Sequence, residues 1–164
     1  MSVGDESFGT MAGAPETVED VTNPLNQQRE LMQLLSQETR HQIVQVILGH
    51  PSHLPSADEL DYIITDKTKK SITDQLDRLQ EEGIIEEYTY ESNQSTRGLP
   101  WKFYGPTEYG ISVLGEFNYL RGVPMARAVL KKTRTTEKID RHLNAPRPSL
   151  PEAVREALRL DKNE

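Results

Sequence analysis

Three lysines, Lys67, Lys69 and Lys70, fall within four positions at the head of the run TDKTKKSITDQLDRLQEEGII (residues 65–85), with Ser71, Thr73, Asp74 and Gln75 just behind them. Ammonium groups hold phosphate as point charges, and short hydroxyl and amide side chains reach base edges, so the set suits contact with a nucleic acid. Asp74 is the odd member: a carboxylate repels phosphate unless it accepts a hydrogen bond from cytosine N4. Arg97, in a polar turn further on, suits a phosphate or a narrow minor groove, and Lys102 follows it. Cations at a helix start oppose the helix dipole, and one answer is a partner outside the chain. The plain alternative is a solvated, mixed-charge helix face.

These side chains need a scaffold, and the apolar residues between them supply its pattern. Ile72, Leu76 and Leu79 lie at i, i+4 and i+7, which predicts an amphipathic helix over 68–82 that stops at Gly83. Lys67, Lys70, Asp74 and Asp77 then point away from the apolar stripe, with Ser71, Thr73 and Arg78 at its sides. Upstream, Leu31, Met32, Leu34 and Leu35 precede a second helical set, Ile43, Val44, Ile47 and Leu48, with Ser36 as the predicted break and cap. Ser56 with Glu59 makes a capping box for a short helix through Leu60, Ile63 and Ile64, and a tight turn then leads into the lysine-headed helix, as in a helix-turn-helix.

Beyond Gly83 the period changes. IIEEYTYESNQSTRGLPWKFYGP alternates β-formers around a polar turn, which predicts a hairpin whose tip holds Asn93, Gln94, Ser95, Thr96 and Arg97. Three helices and a hairpin make a winged helix. Thr107 and Glu108 open a further helix, and three more helical stretches follow, with caps expected at Thr135 or Thr136 and at Ser149. Their apolar patches, among them Met125, Val129 and Leu130, are too small for a separate core. They need the winged domain or a second subunit, and a homodimer is the expectation. The predicted organisation is therefore mainly α with a small β-hairpin (α+β). It comprises a disordered acidic tail at 1–24, a winged helix-turn-helix at 25–120, and a C-terminal dimerising helical segment and tail at 121–164.

Composition narrows the function classes. The 164 residues carry a net charge of −7 and no cysteine, which removes disulfides, thiolate metal sites and thiol switching. The charge is segregated: −5 over 1–24, −3 over 25–65, −4 over 66–120, +6 over 121–147 and −1 over 148–164. One basic segment on an acidic body is compatible with a local DNA-facing stripe, and the acidic excess also suits a salt-rich cytoplasm. Arg127, Lys131, Lys132, Arg134, Lys138 and Arg141 of that segment read either as contacts to DNA flanks or the acidic tail, or as a solvated helix face. With no signal-peptide pattern or membrane-spanning run, a cytoplasmic location with no membrane partner is expected.

His50 and His53 form an His-x-x-His pair, with His41 upstream, and read as solvated loop side chains because no third ligand is in view. Trp101 reads as a core or dimer anchor ahead of an effector-pocket wall or a base-stacking platform. There is no glycine-rich phosphate loop, cysteine nucleophile, Gly-x-Ser-x-Gly elbow or metal-ligand run, so neither an enzyme nor a cofactor is expected.

The motif order resembles a known family. LLSQETRHQIVQVIL resembles the first helix of archaeal winged-helix regulators related to the ArsR and MarR types. SITDQLDRLQEEGII resembles their recognition helix, and KFYGPTEYGISVL their strand-to-helix exit, while TEKIDRHLNAPRP is similar to the C-terminal region of haloarchaeal regulators. The resemblance spans about residues 31–147. It implies a dimeric transcription regulator whose third helix enters the major groove of double-stranded promoter DNA and whose wing, 92–100, touches the backbone or minor groove. The basal transcription machinery is an implied further partner. By resemblance the DNA-facing positions are Lys69, Lys70, Ser71, Thr73, Asp74, Gln75 and Arg97, to which charge adds Lys67 and Lys102. The competing expectation keeps the fold but makes it a protein-interaction module that docks an acidic protein.

Overall fold

The computed structural model describes residues 23–162. Among these, eight α-helices and one antiparallel hairpin follow in order: α1 (Pro24–Ser36), α2 (Glu38–Gly49), α3 (Ala57–Ile63), α4 (Lys69–Glu81), β1 (Ile85–Thr89), β2 (Lys102–Pro106), α5 (Glu108–Glu116), α6 (Val123–Lys131), α7 (Glu137–Asn144) and α8 (Glu152–Lys162). Two 3₁₀ turns, Glu91–Ser95 and Tyr119–Gly122, interrupt the connections. The predicted disordered tail lies outside the described residues except for its last two, Asn23 and Pro24, which cap and open α1.

The core forms where the apolar stripes meet. Ile43, Ile47 and Leu48 of α2 are buried against Ile72, Leu76 and Leu79 of α4, and α3 packs across α4 to complete the helix-turn-helix. Each of those buried aliphatic side chains contributes roughly 1.5–3 kcal/mol. The Ser56 capping box is present, with the Ser56 side chain accepting from the Glu59 N–H and Glu59 accepting in return from the Ser56 N–H. At the other end of α4, the N–H of Gly83 reaches the Gln80 carbonyl and that of Ile84 the Leu79 carbonyl, a Schellman ending that requires the positive φ of Gly83.

Register in the hairpin runs from Ile85 opposite Pro106 to Thr89 opposite Lys102. The exit from β2 explains the Thr-Glu-x-Gly sequence. Thr107 caps α5 by accepting from the Gly110 N–H, and its hydroxyl donates to the Gly83 carbonyl at 2.5 Å. Gly110 is obligatory there, since a Cβ would sit 1.9 Å from the Ile84 carbonyl oxygen.

Four expectations are corrected. The break between α1 and α2 is capped by the side chain of Gln37, not Ser36, because Gln37 reaches the Arg40 N–H. α8 starts at Glu152, with Pro151 taking the first helical bond, so Ser149 is not its cap. His50 and His53 are buried instead of solvated. Asn93 leaves the wing tip for the interior, where its amide donates to the carbonyls of Pro100 (2.9 Å) and Pro146 (2.8 Å).

The C-terminal helices fold back onto the winged body: α6 packs on α2, α7 on α3, and α8 on α5 and α6. Val123, Ile139, Leu150, Val154 and Leu158 are buried within the single chain. The predicted patch on α6 divides, with Leu130 packed on the core while Met125 and Val129 stay exposed.

Candidate nucleic-acid interface

The head of α4 stands at the surface. Thr68 caps it by accepting from the Ser71 N–H at 3.1 Å, which leaves the Lys69 and Lys70 side chains 54% and 84% exposed. Lys67, before the cap, is only 20% exposed and pairs with Glu38 at 3.1 Å and Asp66 at 3.4 Å. Lys69 pairs with Asp58 of α3, and Lys70 with Asp74 one turn on at 3.2 Å. The unfavourable placing of cations on the dipole is thus offset by carboxylates of the same chain. Asp74, anomalous as a base contact, is the counter-ion of Lys70.

These partnerships show in the ionisation. Hydrogen bonding to Asp58 raises the Lys69 pKa above its ordinary value, and hydrogen bonding to Glu38 does the same for Lys67. Burial works against ionised Asp58, but Lys69, with Lys138 and His142 behind it, outweighs burial and holds the carboxyl below its usual range.

The polar residues behind the lysines are partly committed. The Thr73 hydroxyl donates back to the Lys70 carbonyl at 3.0 Å. Gln75 accepts from the Arg40 guanidinium at 2.7 Å, and Arg40 is itself anchored on the Leu34 carbonyl. Since arginine only donates, the oxygen of Gln75 faces Arg40 and its NH₂ is turned the other way. Ser71 is half-buried, with its N–H spent on the cap.

In the wing, Arg97 is exposed beside Gly98, whose φ of +88° turns the chain. Lys102 lies over the half-buried Trp101 ring, 4.9 Å from its centroid, so Trp101 serves as a platform for a cation and not as a core anchor.

Beneath α3 is a second polar group that sequence reasoning did not assemble. His50 Nε2 meets the Glu59 carboxylate at 2.8 Å, and Arg147 donates to the other Glu59 oxygen at 2.5 Å. The Ser52 N–H donates to His50 Nδ1, which fixes the tautomer with the proton on Nε2. Burial lowers the His50 pKa more than Glu59 raises it. Burial also opposes ionised Glu59, yet His50, Arg147 and the Ser56 N–H together hold its carboxyl low. Arg147 further donates to the carbonyls of Leu54, Leu143 and Ala145 and lies over the Phe103 ring. The available signals were one arginine in a Pro-rich stretch and one glutamate already explained as a cap. Among the described residues no group of three or more His, Asp or Glu side chains is placed to hold a metal ion. None of the helices there is long and apolar enough to cross a membrane.

No family model matches the chain, and no curated protein matches it significantly. A solved structure does: a protein with a GntR superfamily winged-helix-turn-helix domain from Halomicrobium mukohataei, with 26% identity and a TM-score of 0.74. The alignment covers 82% of this chain and 95% of that one. The fold is a winged helix-turn-helix. The description of that structure names the GntR superfamily and not the ArsR or MarR types that the motifs resemble.

Proposed function

We propose that the protein is a sequence-specific, DNA-binding transcription regulator that acts as a homodimer, with α4 in the major groove and the 92–100 wing against the backbone or minor groove. The observation that carries this reading is the exposed, lysine-led head of α4 beside a cationic wing, on a fold shared with a winged-helix-turn-helix protein. The assignment is to winged-helix regulators at large, because the motif resemblance and the structural neighbour agree on the fold and differ on the type.

Lys67, Lys69, Lys70, Arg97 and Lys102 supply phosphate contacts, and phosphate exchanges for Glu38, Asp58 and Asp74 as the lysines' partner. Ser71, Thr73 and Gln75 read base edges. With its oxygen held by Arg40, Gln75 offers only its NH₂ donors, which favours a base acceptor such as guanine O6 or thymine O4 over the two-bond pairing with adenine. Occupancy acts on transcription by blocking or recruiting the basal machinery. Among the described residues, Leu25 and Met32 on α1, and Met125 and Val129 on α6, are the large apolar side chains left exposed, and they provide surface for pairing of two copies.

The test is genome-wide occupancy of the tagged chain and of the Lys69→Gln, Lys70→Gln variant. Discrete promoter sites that vanish in the variant support the reading. Unchanged sites would remove α4 from the interface, and no enrichment over background would favour the protein-docking alternative. Light scattering on the free protein measures the dimer.

A further inference from the structure

The most basic segment of the chain meets the wing. Between the wing, the start of α3 and α7 lies a concave groove of about 420 Å³, whose walls include Asp58, Trp101, Lys102, Lys138, Arg141 and His142. Its two sides are fastened together. Asn93 of the wing is tied to the Pro146 carbonyl, and Arg141 approaches the wing so closely that a Cβ on Gly98 would lie 3.9 Å from its Nε. The floor holds one carboxylate against an excess of cations. Asp58 is shared by Lys69 and by Lys138 at 3.7 Å, with the buried His142 imidazole 3.8 Å away, while Lys102 and Arg141 add two more charges. An anion that enters meets a surplus of positive charge on a concave surface.

Resting on the regulator reading above, we propose that α7 is a third DNA-contacting element: Lys138 and Arg141, with Lys102 across the groove, clamp the phosphodiester backbone that flanks the wing. Charge and continuity carry this. Lys69 at the head of α4 and Lys138 on α7 lean on the same Asp58 carboxylate, and Lys138, Arg141 and Lys102 line the one groove, so the cations of α4, α7 and the second strand lie around a single shared acid. A backbone strand that leaves the head of α4 toward the wing runs into the groove. α7 thereby converts a segment that resembles a trailing helix into part of the binding surface, and it enlarges the footprint without widening the base-reading set. The contacts add affinity and register and no sequence information.

The test is the salt dependence of binding. Full-length wild type, K138Q/R141Q, K69Q/K70Q and a K131Q/K132Q control are titrated against a short mixed-sequence duplex by fluorescence anisotropy over a series of KCl concentrations. Each lost phosphate contact lowers the slope of log K against log salt by about 1. K138Q/R141Q is expected to lower it by about 2, with a native circular dichroism spectrum. The control removes the same charge from exposed positions on and just after α6 and is expected to leave the slope unchanged. A control effect as large as that of K138Q/R141Q would reduce the clamp to general charge and overturn it. An unchanged slope in K138Q/R141Q, alongside a reduced one in K69Q/K70Q, would overturn the clamp and leave the α4 reading standing. Absence of duplex binding by wild type would remove both. Because a free phosphate compound offers the same chemistry, AMP is titrated in parallel. Saturable AMP binding lost in K138Q/R141Q, with the duplex slope unmoved, would make the groove a small-molecule site and overturn the proposal.

Discussion

Asp58 and Glu59 are neighbours in the first turn of α3, and they face opposite environments. The Asp58 side chain is 28% exposed and shares its oxygens among Lys69, Lys138 and His142. The Glu59 side chain is fully buried and is held by His50, Arg147 and the Ser56 backbone. Taking a charge out of water is costly, so the inner carboxylate survives only because fixed donors satisfy it from several sides. The outer one is screened, its two lysine partners are more than half exposed, and another anion can take its place. One turn of helix thus fixes the C-terminal segment on its inner side and balances the lysines of α4 and α7 on its outer side. The chemistry of the two acids is nearly the same, and the solvent around them decides which is structural and which is exchangeable.

The contrast can be broken first from the inside. Arg147→Met takes the guanidinium charge from buried Glu59 and leaves it the neutral His50 ring and the Ser56 N–H, and a loss of about 3–5 kcal/mol in urea-denaturation stability is expected. Adding Glu59→Gln should recover part of that loss, since the uncompensated charge goes with it. Asn93→Ala leaves two carbonyls without their donor, with an expected loss of about 1–3 kcal/mol by the same assay.

Acidity sharpens the comparison. Burial keeps His50 and His142 below the ordinary histidine value of 6.5, so below that pH the unfolded chain binds protons that the native chain refuses. Stability is therefore complete above about pH 6.5 and falls as pH drops through the window beneath it. The low carboxyls of Glu59 and Asp58 add a second loss of the same sign below their ordinary values of 4.5 and 3.8. Urea midpoints measured down the pH scale should show both stages, and His50→Gln should flatten the first.

On the outside the effects are smaller and move binding more than folding. Asp58→Asn removes the anion that competes with phosphate, and duplex affinity by anisotropy should rise roughly 3- to 10-fold. Asp74→Asn frees Lys70 alone. Its effect on the urea midpoint should correspond to about 0.5 kcal/mol or less, because the pair is exposed and one turn apart. A large loss of stability in Asp58→Asn would erase the distinction between Asp58 and Glu59.

The features legible in the sequence obey local rules. The stripe of Ile72, Leu76 and Leu79, the stop at Gly83, and the caps at Ser56 and Thr107 each depend on residues within a turn or two, and each stands in the structure as read. The surface position of Lys69, Lys70 and Arg97 was readable for the same reason. What escaped depends on distance along the chain. Glu59 and Arg147 are 88 residues apart, and Asn93 and Pro146 are 53 apart. No period or spacing reports such a pair, so His50 and Asn93 read as solvent-facing loop residues. Two of the lysines' acidic partners were hidden in the same way, since Asp58 lies on another helix and Glu38 on a third.

Arg147 bears on how the molecule is made. As the chain leaves the ribosome, α1 to α5 and the hairpin emerge long before residue 147, and until it arrives Glu59 has lost its strongest counter-charge. The nascent winged body must either keep that acid protonated or hold α3 open to water. Closure of the seam over α3 therefore waits on one guanidinium that touches α3, the loop before it and the second strand together.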